Sequence, residues 1–177
     1  IDIVICFGGD GTLLKSLKKY REKPILPIRL NEKSSLGFRA DLTINNLEEA
    51  VNELKKGNYK TEVYNMIEVL VGKKKFSSFN DAVVFRSNPQ QICFNLIYNN
   101  ENIMKICGDG FLVCSFFGST AYNFNINGPI TKDRNILIFS PIACNIRNSF
   151  VSLNEIEVKL TKGYGKLEID GDCLLYT

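Results

Sequence analysis

The chain has 177 residues, of which 45% are hydrophobic and 23% are charged, a composition typical of a globular protein. The net charge of +3 is too small to indicate a nucleic acid or an anionic membrane as a partner. No apolar run approaches the roughly 18–20 residues that a membrane-spanning helix needs, so we expect a soluble, cytoplasmic protein.

The absence of histidine limits the chemistry that the chain can perform. A Ser-His-Asp triad, a Cys-His pair and a mixed Cys-His zinc site are excluded. The six cysteines form no C-x-x-C pair, and most lie in apolar, strand-like runs, as Cys6 and Cys114 do. We interpret them as buried free thiols in a reducing compartment and expect no disulfide framework.

The first part of the chain alternates strand and helix patterns. Residues 1–7 form a continuous apolar, β-branched run, as in a strand buried on both faces. This run begins without a Met or a signal-peptide pattern, so we expect the first domain to be truncated at its start. A glycine-dense turn follows, residues 12–20 place leucines at helical spacing, and residues 25–30 form a second extended segment.

A second helix is predicted over residues 47–56, because apolar side chains at positions 47, 50, 51 and 54 line one face. Asn46 followed by Glu49 matches a capping box at its start. Gly57 is a natural residue for ending the helix in a left-handed conformation. The first 58 residues therefore indicate an α/β domain.

From residue 59 onward, short β-rich runs alternate with clusters of Gly, Asn, Asp and Pro. The predicted strands are residues 66–71, 82–86, 92–98, 111–117, 136–139, 156–160 and 167–169. We predict no long helix after residue 56, and we interpret the lysines at 73–75 as an exposed loop. Residues 59–177 therefore indicate a mainly β domain of the sandwich or barrel kind.

The sequence Gly-Gly-Asp-Gly-Thr at residues 8–12 lies between the first strand and the first helix. Glycines let a phosphate approach the backbone, and the helix start supplies N–H groups and partial positive charge. A carboxylate such as Asp10 is repelled there unless it holds a metal ion or takes a proton from an attacking hydroxyl. The alternative is a tight turn in which Asp10 caps the helix. Neither a Walker A motif nor G-x-G-x-x-G is present.

A second glycine-rich segment spans residues 107–122, and an amide-rich stretch follows it. Asp109-Gly110 in isolation indicates a hairpin turn. Gly-Ser-Thr at residues 118–120 indicates a turn with capping hydroxyls, and Tyr122 offers a ring for stacking or a hydroxyl for hydrogen bonding. So many hydroxyls and amides indicate a ligand with many hydrogen-bonding groups.

Asn80 and Asp81 precede an apolar run and offer an amide and a carboxylate, a pair suited to ribose hydroxyls. A turn at the start of a strand is the alternative interpretation. We interpret Phe111, Phe116 and Phe117 as ordinary strand core.

Taken in order, these motifs resemble the NAD kinase family over nearly the whole chain. The matching segments are residues 8–12, Leu-Gly-Phe at 36–38 followed by Asp41, Asn80-Asp81, Asp109-Gly110, Gly-Ser-Thr-Ala-Tyr at 118–122, Gly-Pro-Ile at 128–130, Ser-Pro-Ile at 140–142 and Asp-Gly at 170–171. The first motif is shared with diacylglycerol, sphingosine and phosphofructokinase-type kinases, whereas the group at 118–122 is more specific.

The resemblance implies an α/β Rossmann-like N-terminal domain, an all-β sandwich C-terminal domain, and transfer of the γ-phosphate of ATP to the 2′-hydroxyl of NAD, giving NADP. It implies that Asp10 activates that hydroxyl, with Mg²⁺ held through the nucleotide phosphates. The implied phosphate-binding residues are Gly8, Gly9, Gly11 and Thr12. The implied NAD-binding residues are Phe38, Asn80, Asp81, Asp109, Thr120, Ala121, Tyr122 and Asn125. Because the family assembles its site between subunits, we expect a homodimer or homotetramer.

The chain departs from the family pattern at several positions. Asp81 stands in place of a Glu, Asn125 in place of a Ser, and Ser-Phe-Phe at residues 115–117 in place of Thr-Pro-Thr. Two alternative functions stay open. A lipid or sphingoid-base kinase would share the first motif but needs an apolar pocket for an acyl chain. A non-catalytic NADP-binding module would have no use for Asp10.

Overall fold

The computed structural model describes residues 2–30, 40–153 and 155–176. The chain divides into two compact units, Ile1–Val63 and Tyr64–Thr177. The predicted domain boundary at residue 58 lies a few residues earlier, within an exposed segment that follows the second helix. In the described part of the chain, no helix has the length and apolar character needed to cross a membrane.

In its described residues, 2–30 and 40–63, the first unit contains a three-stranded parallel sheet and two helices of ten residues each. Its elements are β1 (Val4–Phe7), α1 (Asp10–Lys19), β2 (Ile25–Arg29), β3 (Leu42–Thr43), a 3-10 turn (Ile44–Asn46) and α2 (Leu47–Lys56). The strands lie in the order β1-β2-β3. Cys6, Leu13 and Ile28 are buried, so the apolar faces of β1, α1 and β2 form the core of this unit.

Helix α2 has the predicted bounds, and Gly57 follows its last residue with φ 78°. This left-handed conformation after the last helical residue is the one that the glycine predicts. The predicted capping box between Asn46 and Glu49 is wrong. The Asn46 side chain instead accepts hydrogen bonds from the N–H (3.4 Å) and the hydroxyl (3.0 Å) of Thr43, because residues 44–46 form a 3-10 turn ahead of the helix.

The second unit is rich in strands and contains one short helix. Its elements are β4 (Ile67–Val71), β5 (Lys74–Ser78), β6 (Asp81–Arg86), β7 (Ile92–Tyr98), β8 (Glu101–Gly108), β9 (Gly110–Cys114), a 3-10 turn (Gly118–Thr120), α3 (Tyr122–Asn125), β10 (Leu137–Ile142), β11 (Phe150–Ser152), β12 (Glu157–Lys162), β13 (Gly165–Ile169) and β14 (Asp172–Tyr176). They form a six-stranded sheet in the order β11-β10-β9-β6-β13-β14, a three-stranded sheet β12-β7-β8 and the hairpin β4-β5.

Four strands of this unit, β5, β8, β11 and β14, are not among the predicted runs. The interpretation of residues 73–75 as a loop is wrong for Lys74 and Lys75, which pair with Val71 and Leu70 across the β4-β5 hairpin. In β5 and β8, exposed polar residues such as Lys74, Lys75 and Glu101 interrupt the apolar pattern on which the prediction relied.

The six-stranded and three-stranded sheets pack face to face through an aromatic core. Phe94 and Ile106 come from the smaller sheet, and Phe111 and Phe139 come from the larger one. The Phe94 and Phe111 rings lie 4.8 Å apart and the Phe111 and Phe139 rings 5.5 Å apart. This packing uses one face of the larger sheet and leaves its other face for the polar segments described below.

Cys93 and Cys107 form a disulfide between β7 and β8. The expectation that the cysteines are all free thiols is therefore wrong for this pair. They are direct register partners, and their Cα atoms lie 4.1 Å apart, within reach of a cross-strand bond. Among the described cysteines, Cys6, Cys114 and Cys144 are free thiols, and the first two are buried.

The aromatic core gives a stability prediction. Phe94 is fully buried, so Phe94→Ala should lower the free energy of unfolding by about 3–5 kcal/mol. Phe124 is 55% exposed, so Phe124→Ala should change it by no more than about 0.5 kcal/mol. Urea unfolding followed by circular dichroism compares the two variants. Equal losses would contradict the placement of Phe94 between the sheets.

Candidate functional site

The glycine turn of the first unit joins β1 directly to α1. The N–H of Gly8 donates to the carbonyl of Ile28 (2.9 Å), which ties the turn to the neighbouring strand. Gly8 has φ +150°, and a Cβ there would lie 2.4 Å from Oγ1 of Thr12. The turn therefore requires glycine at this position. The amides of Thr12 and Leu13 donate to the carbonyl of Gly9 (3.0 and 3.1 Å), which closes the first turn of the helix.

Asp10 is the first residue of α1 and is partly buried. The N-cap residue is Gly9 and Asp10 is the first residue inside the helix, so the interpretation of Asp10 as the N-cap is wrong. Gly11 is exposed, and a Cβ there would have no described atom within 4 Å. The loop thus places a carboxylate and an open glycine at the positive end of a helix dipole. Phe38, a predicted NAD-binding residue, lies outside the described residues.

In the second unit, Asn80 and Asp81 lie in a turn that a buried carboxylate organises. Asp170, which is 8% exposed, accepts hydrogen bonds from three consecutive amides, those of Phe79 (3.0 Å), Asn80 (2.7 Å) and Asp81 (3.2 Å). It also accepts one from the hydroxyl of Ser78 (2.9 Å). Asp170 is not among the predicted site residues, although its Asp-Gly motif is a recognisable signal.

The carbonyl side of the same turn is held by Ser115. Its N–H donates to the carbonyl of Asn80 (2.9 Å) and its hydroxyl to that of Phe79 (2.6 Å). A Cβ on Gly118 would lie 2.1 Å from the Asn80 carbonyl oxygen, so only glycine permits this approach. The structure therefore brings the Asn80-Asp81 turn against the start of the Gly-Ser-Thr-Ala-Tyr segment.

The hydroxyls of that segment do not cap it, contrary to the prediction. Ser119 donates to the carbonyl of Phe116 (2.7 Å) and Thr120 to that of Phe117 (3.3 Å). The capping hydroxyl is that of Ser115, which accepts from the amides of Phe117 (3.1 Å) and Gly118 (3.3 Å). The sequence alone does not identify Ser115 as the capping residue, because this role depends on the turn that precedes the glycine.

Phe116 and Phe117 lie beyond the end of β9, so their interpretation as strand core is wrong. They join an aromatic cluster in which Phe117 lies 4.4 Å from the Phe79 ring and 4.5 Å from the Tyr64 ring. The guanidinium of Arg134 lies 4.5 Å from the Tyr64 ring centre. The cluster packs beside the turn that carries Asn80 and limits its movement.

The amide-rich stretch is partly structural. Asn123 is fully buried; its Nδ2 donates to the carbonyl of Pro129 (2.8 Å), and its Oδ1 accepts from the hydroxyl of Ser140 (2.6 Å). A Cβ on Gly128 would lie 2.0 Å from Asn123 Oδ1, which explains the glycine. Asn125, the predicted ligand residue, ends α3 and is exposed.

Tyr122 lies where acidic groups converge on the outer face of the six-stranded sheet. Burial raises the pKa of the Tyr122 phenol, and the negative charges of Glu168 and then Asp81 raise it further. Burial also raises the pKa of the Cys114 thiol, with the charge of Asp81 adding to the effect. Glu168 forms an ion pair with Lys166 (2.6 Å). These two residues are missing from the predicted site; they share a face of β13 because they are two positions apart.

Asp109 lies apart from this group within one chain. It links β8 of the smaller sheet to β9 of the larger sheet, so the hairpin-turn interpretation is wrong. Its carboxylate pairs with Nε of Arg86 (3.0 Å). Arg86 and Asp81 lie at opposite ends of the six-residue strand β6, five positions apart, which places them roughly 16 Å from each other.

The fold of the chain is that of known nucleotide-substrate kinases. It is similar to the crystal structure of yeast NADH kinase complexed with NADH, with a TM-score of 0.86 at 20% identity, over 99% of this chain and 55% of that one. It is also similar to an NAD kinase from Archaeoglobus fulgidus in complex with ATP, with a TM-score of 0.79 at 24% identity, over 100% of this chain and 70% of that one. No protein-family model matches the chain.

Sequence relatives give the same result. The chain is 33% identical to the NAD kinase of Campylobacter lari over 99% of its length, and 33% identical to that of Clostridium kluyveri over 97%. It is 29% identical to the NAD kinase of Saccharolobus islandicus over 98%. The resemblance of the chain to the NAD kinase family is therefore confirmed. The chain spans 63% and 64% of the length of the first two relatives.

The geometry of the glycine turn between β1 and α1 predicts different effects of alanine at two of its glycines. Gly8→Ala should lower the free energy of unfolding by roughly 1–3 kcal/mol, because the new Cβ meets Thr12 at a positive φ. Gly11→Ala should leave it unchanged or raise it by up to about 1 kcal/mol, because this helical position has open space. Thermal unfolding of both variants tests this. A Gly8→Ala protein as stable as the wild type would contradict the described turn.

The environment of Tyr122 predicts a charge-dependent titration. Glu168→Gln should lower the pKa of the Tyr122 phenol, because removing a nearby negative charge makes the phenolate less unfavourable. The ζ-carbon NMR shift of each tyrosine against pH measures this, with Tyr122→Phe assigning the signal. Glu157→Gln, on an exposed position of β12, is the control. An unchanged pKa of Tyr122 in Glu168→Gln would contradict the electrostatic interaction between these two side chains.

Proposed function

We propose that the protein is an NAD kinase, which transfers the γ-phosphate of ATP to the 2′-hydroxyl of the adenosine ribose of NAD and forms NADP. Two kinds of evidence support this function: the identity to NAD kinases over nearly the whole chain, and the placement of Asp10 at the helix start of a glycine turn. The placement of Asp10 is the single structural observation on which the proposal depends. A carboxylate at an anion-binding helix start serves phosphoryl transfer and has no use in simple phosphate binding.

In the proposed reaction, Asp10 is the general base. Its carboxylate accepts the proton of the 2′-hydroxyl, while the hydroxyl oxygen forms a bond to the γ-phosphorus of ATP. The bond from that phosphorus to the β–γ bridging oxygen breaks, and ADP leaves with the electron pair. The products are NADP and ADP, with the proton on Asp10.

The glycine turn is proposed to hold the phosphates. Gly8, Gly9 and Gly11 allow close approach of phosphate oxygens, and Thr12 adds a hydroxyl at the helix start. The Mg²⁺ ion that accompanies ATP would be held mainly through the nucleotide phosphates, so Asp10 stays available as the base. When bound, the ion would offset the negative charge of the transferring phosphates.

The second unit is proposed to recognise the adenosine part of NAD. Asn80 and Asp81 offer an amide and a carboxylate, and they lie beside the segment that carries Thr120, Ala121 and Tyr122. Thr120, Ala121 and Tyr122 are partly buried, as expected of residues that surround a flat base. Phe38 keeps its proposed role next to the base from the resemblance alone.

Asp109 and Asn125 are proposed to contact the nicotinamide end of NAD. Asp109 lies at the far end of β6 from Asp81, so we infer that in the homo-oligomer the partner copy supplies it. Dimer and tetramer both satisfy this requirement. The Rossmann-like and β-sandwich descriptions of the two units, and the cytoplasmic location, are part of the same proposal; the face-to-face sheets of the second unit support the sandwich description.

Removing the proposed base tests the mechanism. Asp10→Asn in the full-length protein should lower kcat for NADP formation by about 10²–10⁴-fold, while affinity for NAD and ATP is kept. Asp2→Asn is the matched control, because Asp2 precedes the same strand but is exposed and pairs with Lys23. A coupled assay with an NADP-specific dehydrogenase gives the rates. Wild-type kcat in Asp10→Asn would remove Asp10 from the role of base.

The same assay can separate the alternative functions. Phosphate transfer from γ-labelled ATP is measured to NAD, to diacylglycerol and to sphingosine in parallel. Label in NAD alone supports the proposal, whereas label in a lipid identifies a lipid kinase. Binding of NADP without transfer to any acceptor would identify a non-catalytic module.

A further inference from the structure

We infer that Asp170 is a positioning residue for NAD binding, acting through the backbone of the Asn80-Asp81 turn. The inference rests on the proposed function of that turn. Asp170 touches no proposed reacting atom; it lies in the turn between β13 and β14, some ninety positions along the chain from the amides that it binds. Its effect on a substrate would pass through the conformation of residues 78–81.

The carboxylate of Asp170 accepts hydrogen bonds from the short segment of residues 78–81. Oδ1 accepts from the Ser78 hydroxyl and from the amides of Asn80 and Asp81, and Oδ2 accepts from the amide of Phe79. Three successive amides that point at one carboxylate cannot rotate independently, because turning one peptide group breaks its charge-assisted bond. The direction in which the Asn80 side chain leaves the backbone is therefore set by Asp170.

Asp170 and the turn at residues 78–81 are hydrogen-bonded in both directions. The N–H of Asp170 donates to the carbonyl of Asp81 (3.0 Å), and the Ser78 hydroxyl donates to the same carbonyl (2.8 Å). Asp170 itself adopts φ +50°, a left-handed conformation that Asp tolerates better than most residues. Because the Asp170 backbone is held in this conformation and both of its carboxylate oxygens accept hydrogen bonds, the geometry of the turn is narrowly defined.

The opposite side of the turn is equally constrained. Ser115 binds the carbonyls of Phe79 and Asn80, and it also caps the segment that leads to Thr120. Asp170 and Ser115 thus hold the amide and carbonyl sides of the same peptides. A shift of the turn after loss of Asp170 would move Asn80 relative to the proposed adenosine-binding segment.

The chemistry of the carboxylate allows a sharp substitution. Asp170→Asn keeps the size of the side chain but offers one oxygen, so an NH₂ group would face either the Phe79 amide or the three donors at Oδ1. Ser78→Ala removes one of the four bonds and leaves the three amide bonds in place. Asp133→Asn makes the same carboxylate-to-amide change in an exposed turn, where Asp133 accepts from the Asn135 amide.

The test is isothermal titration calorimetry of NAD and, separately, of ATP with the full-length wild type and the three variants, together with the NADP-formation assay. Asp170→Asn should raise the Kd for NAD about tenfold, from the loss of one to two hydrogen bonds that hold the turn. Ser78→Ala should raise it by about two- to threefold. The Kd for ATP and all values for Asp133→Asn should stay within about twofold of the wild type.

Each outcome has a defined meaning. A folded Asp170→Asn protein with the wild-type Kd for NAD would overturn the inference, as would parallel losses for NAD and ATP that track the unfolded fraction. If Asp170→Asn does not fold, Ser78→Ala decides, and an unchanged Kd there overturns the inference. A wild type that binds NAD but forms no NADP would refute the proposed function alone, because the Kd comparison still tests Asp170. A wild type that does not bind NAD refutes both.

Discussion

The Asp170 carboxylate accepts hydrogen bonds from the amides of residues 79–81, and Ser115 donates to the carbonyls of Phe79 and Asn80. The arrangement of the second unit depends on this double attachment, because it joins three segments that are far apart in the chain. The carbonyl of Asn80 comes so close to Gly118 that no side chain fits between them. The same hydrogen bonds therefore hold both the proposed ribose-binding pair and the proposed base-binding segment. The aromatic core between the sheets packs against the opposite face of the larger sheet.

The two units carry different kinds of proposed recognition groups. In the first unit the proposed phosphate-binding groups are backbone amides, and Gly8 has no room for a side chain because a Cβ there would meet Thr12. In the second unit the proposed recognition groups are polar side chains on a sheet face where burial, and then the negative charges of Glu168 and Asp81, raise the pKa of Tyr122. Asp10 of the first unit is the proposed base, and the second unit carries the residues proposed to recognise adenosine.

Local patterns predict the parts of this structure that local interactions determine. Helix α2 has the predicted bounds because its apolar face and Gly57 are local signals. The positions of the glycine motifs are likewise readable in the sequence. Strands such as β8 are missing from the prediction because solvent-facing polar residues interrupt their apolar pattern.

Long-range pairing explains the rest. Nothing in a separation of 14 residues indicates that Cys93 and Cys107 face each other across β7 and β8. In the same way, the contact between Asp170 and the Asn80 amide depends on the pairing of β13 with β6. The caps that proved wrong, at Asn46 and in residues 118–120, failed because a neighbouring hydroxyl competed for the same hydrogen bonds. The motifs indicate which residues are candidates for the site, and the sheet pairing determines which of these candidates meet.

The central claim is that this chain carries the site that phosphorylates the 2′-hydroxyl of NAD. The most direct measurement is phosphorus NMR of a reaction containing the full-length protein, NAD, ATP and Mg²⁺. We predict a single new phosphomonoester signal that coincides with that of added NADP and grows as ADP appears. ATP and NAD left unchanged, or a phosphomonoester at a position other than the 2′-oxygen, would contradict it.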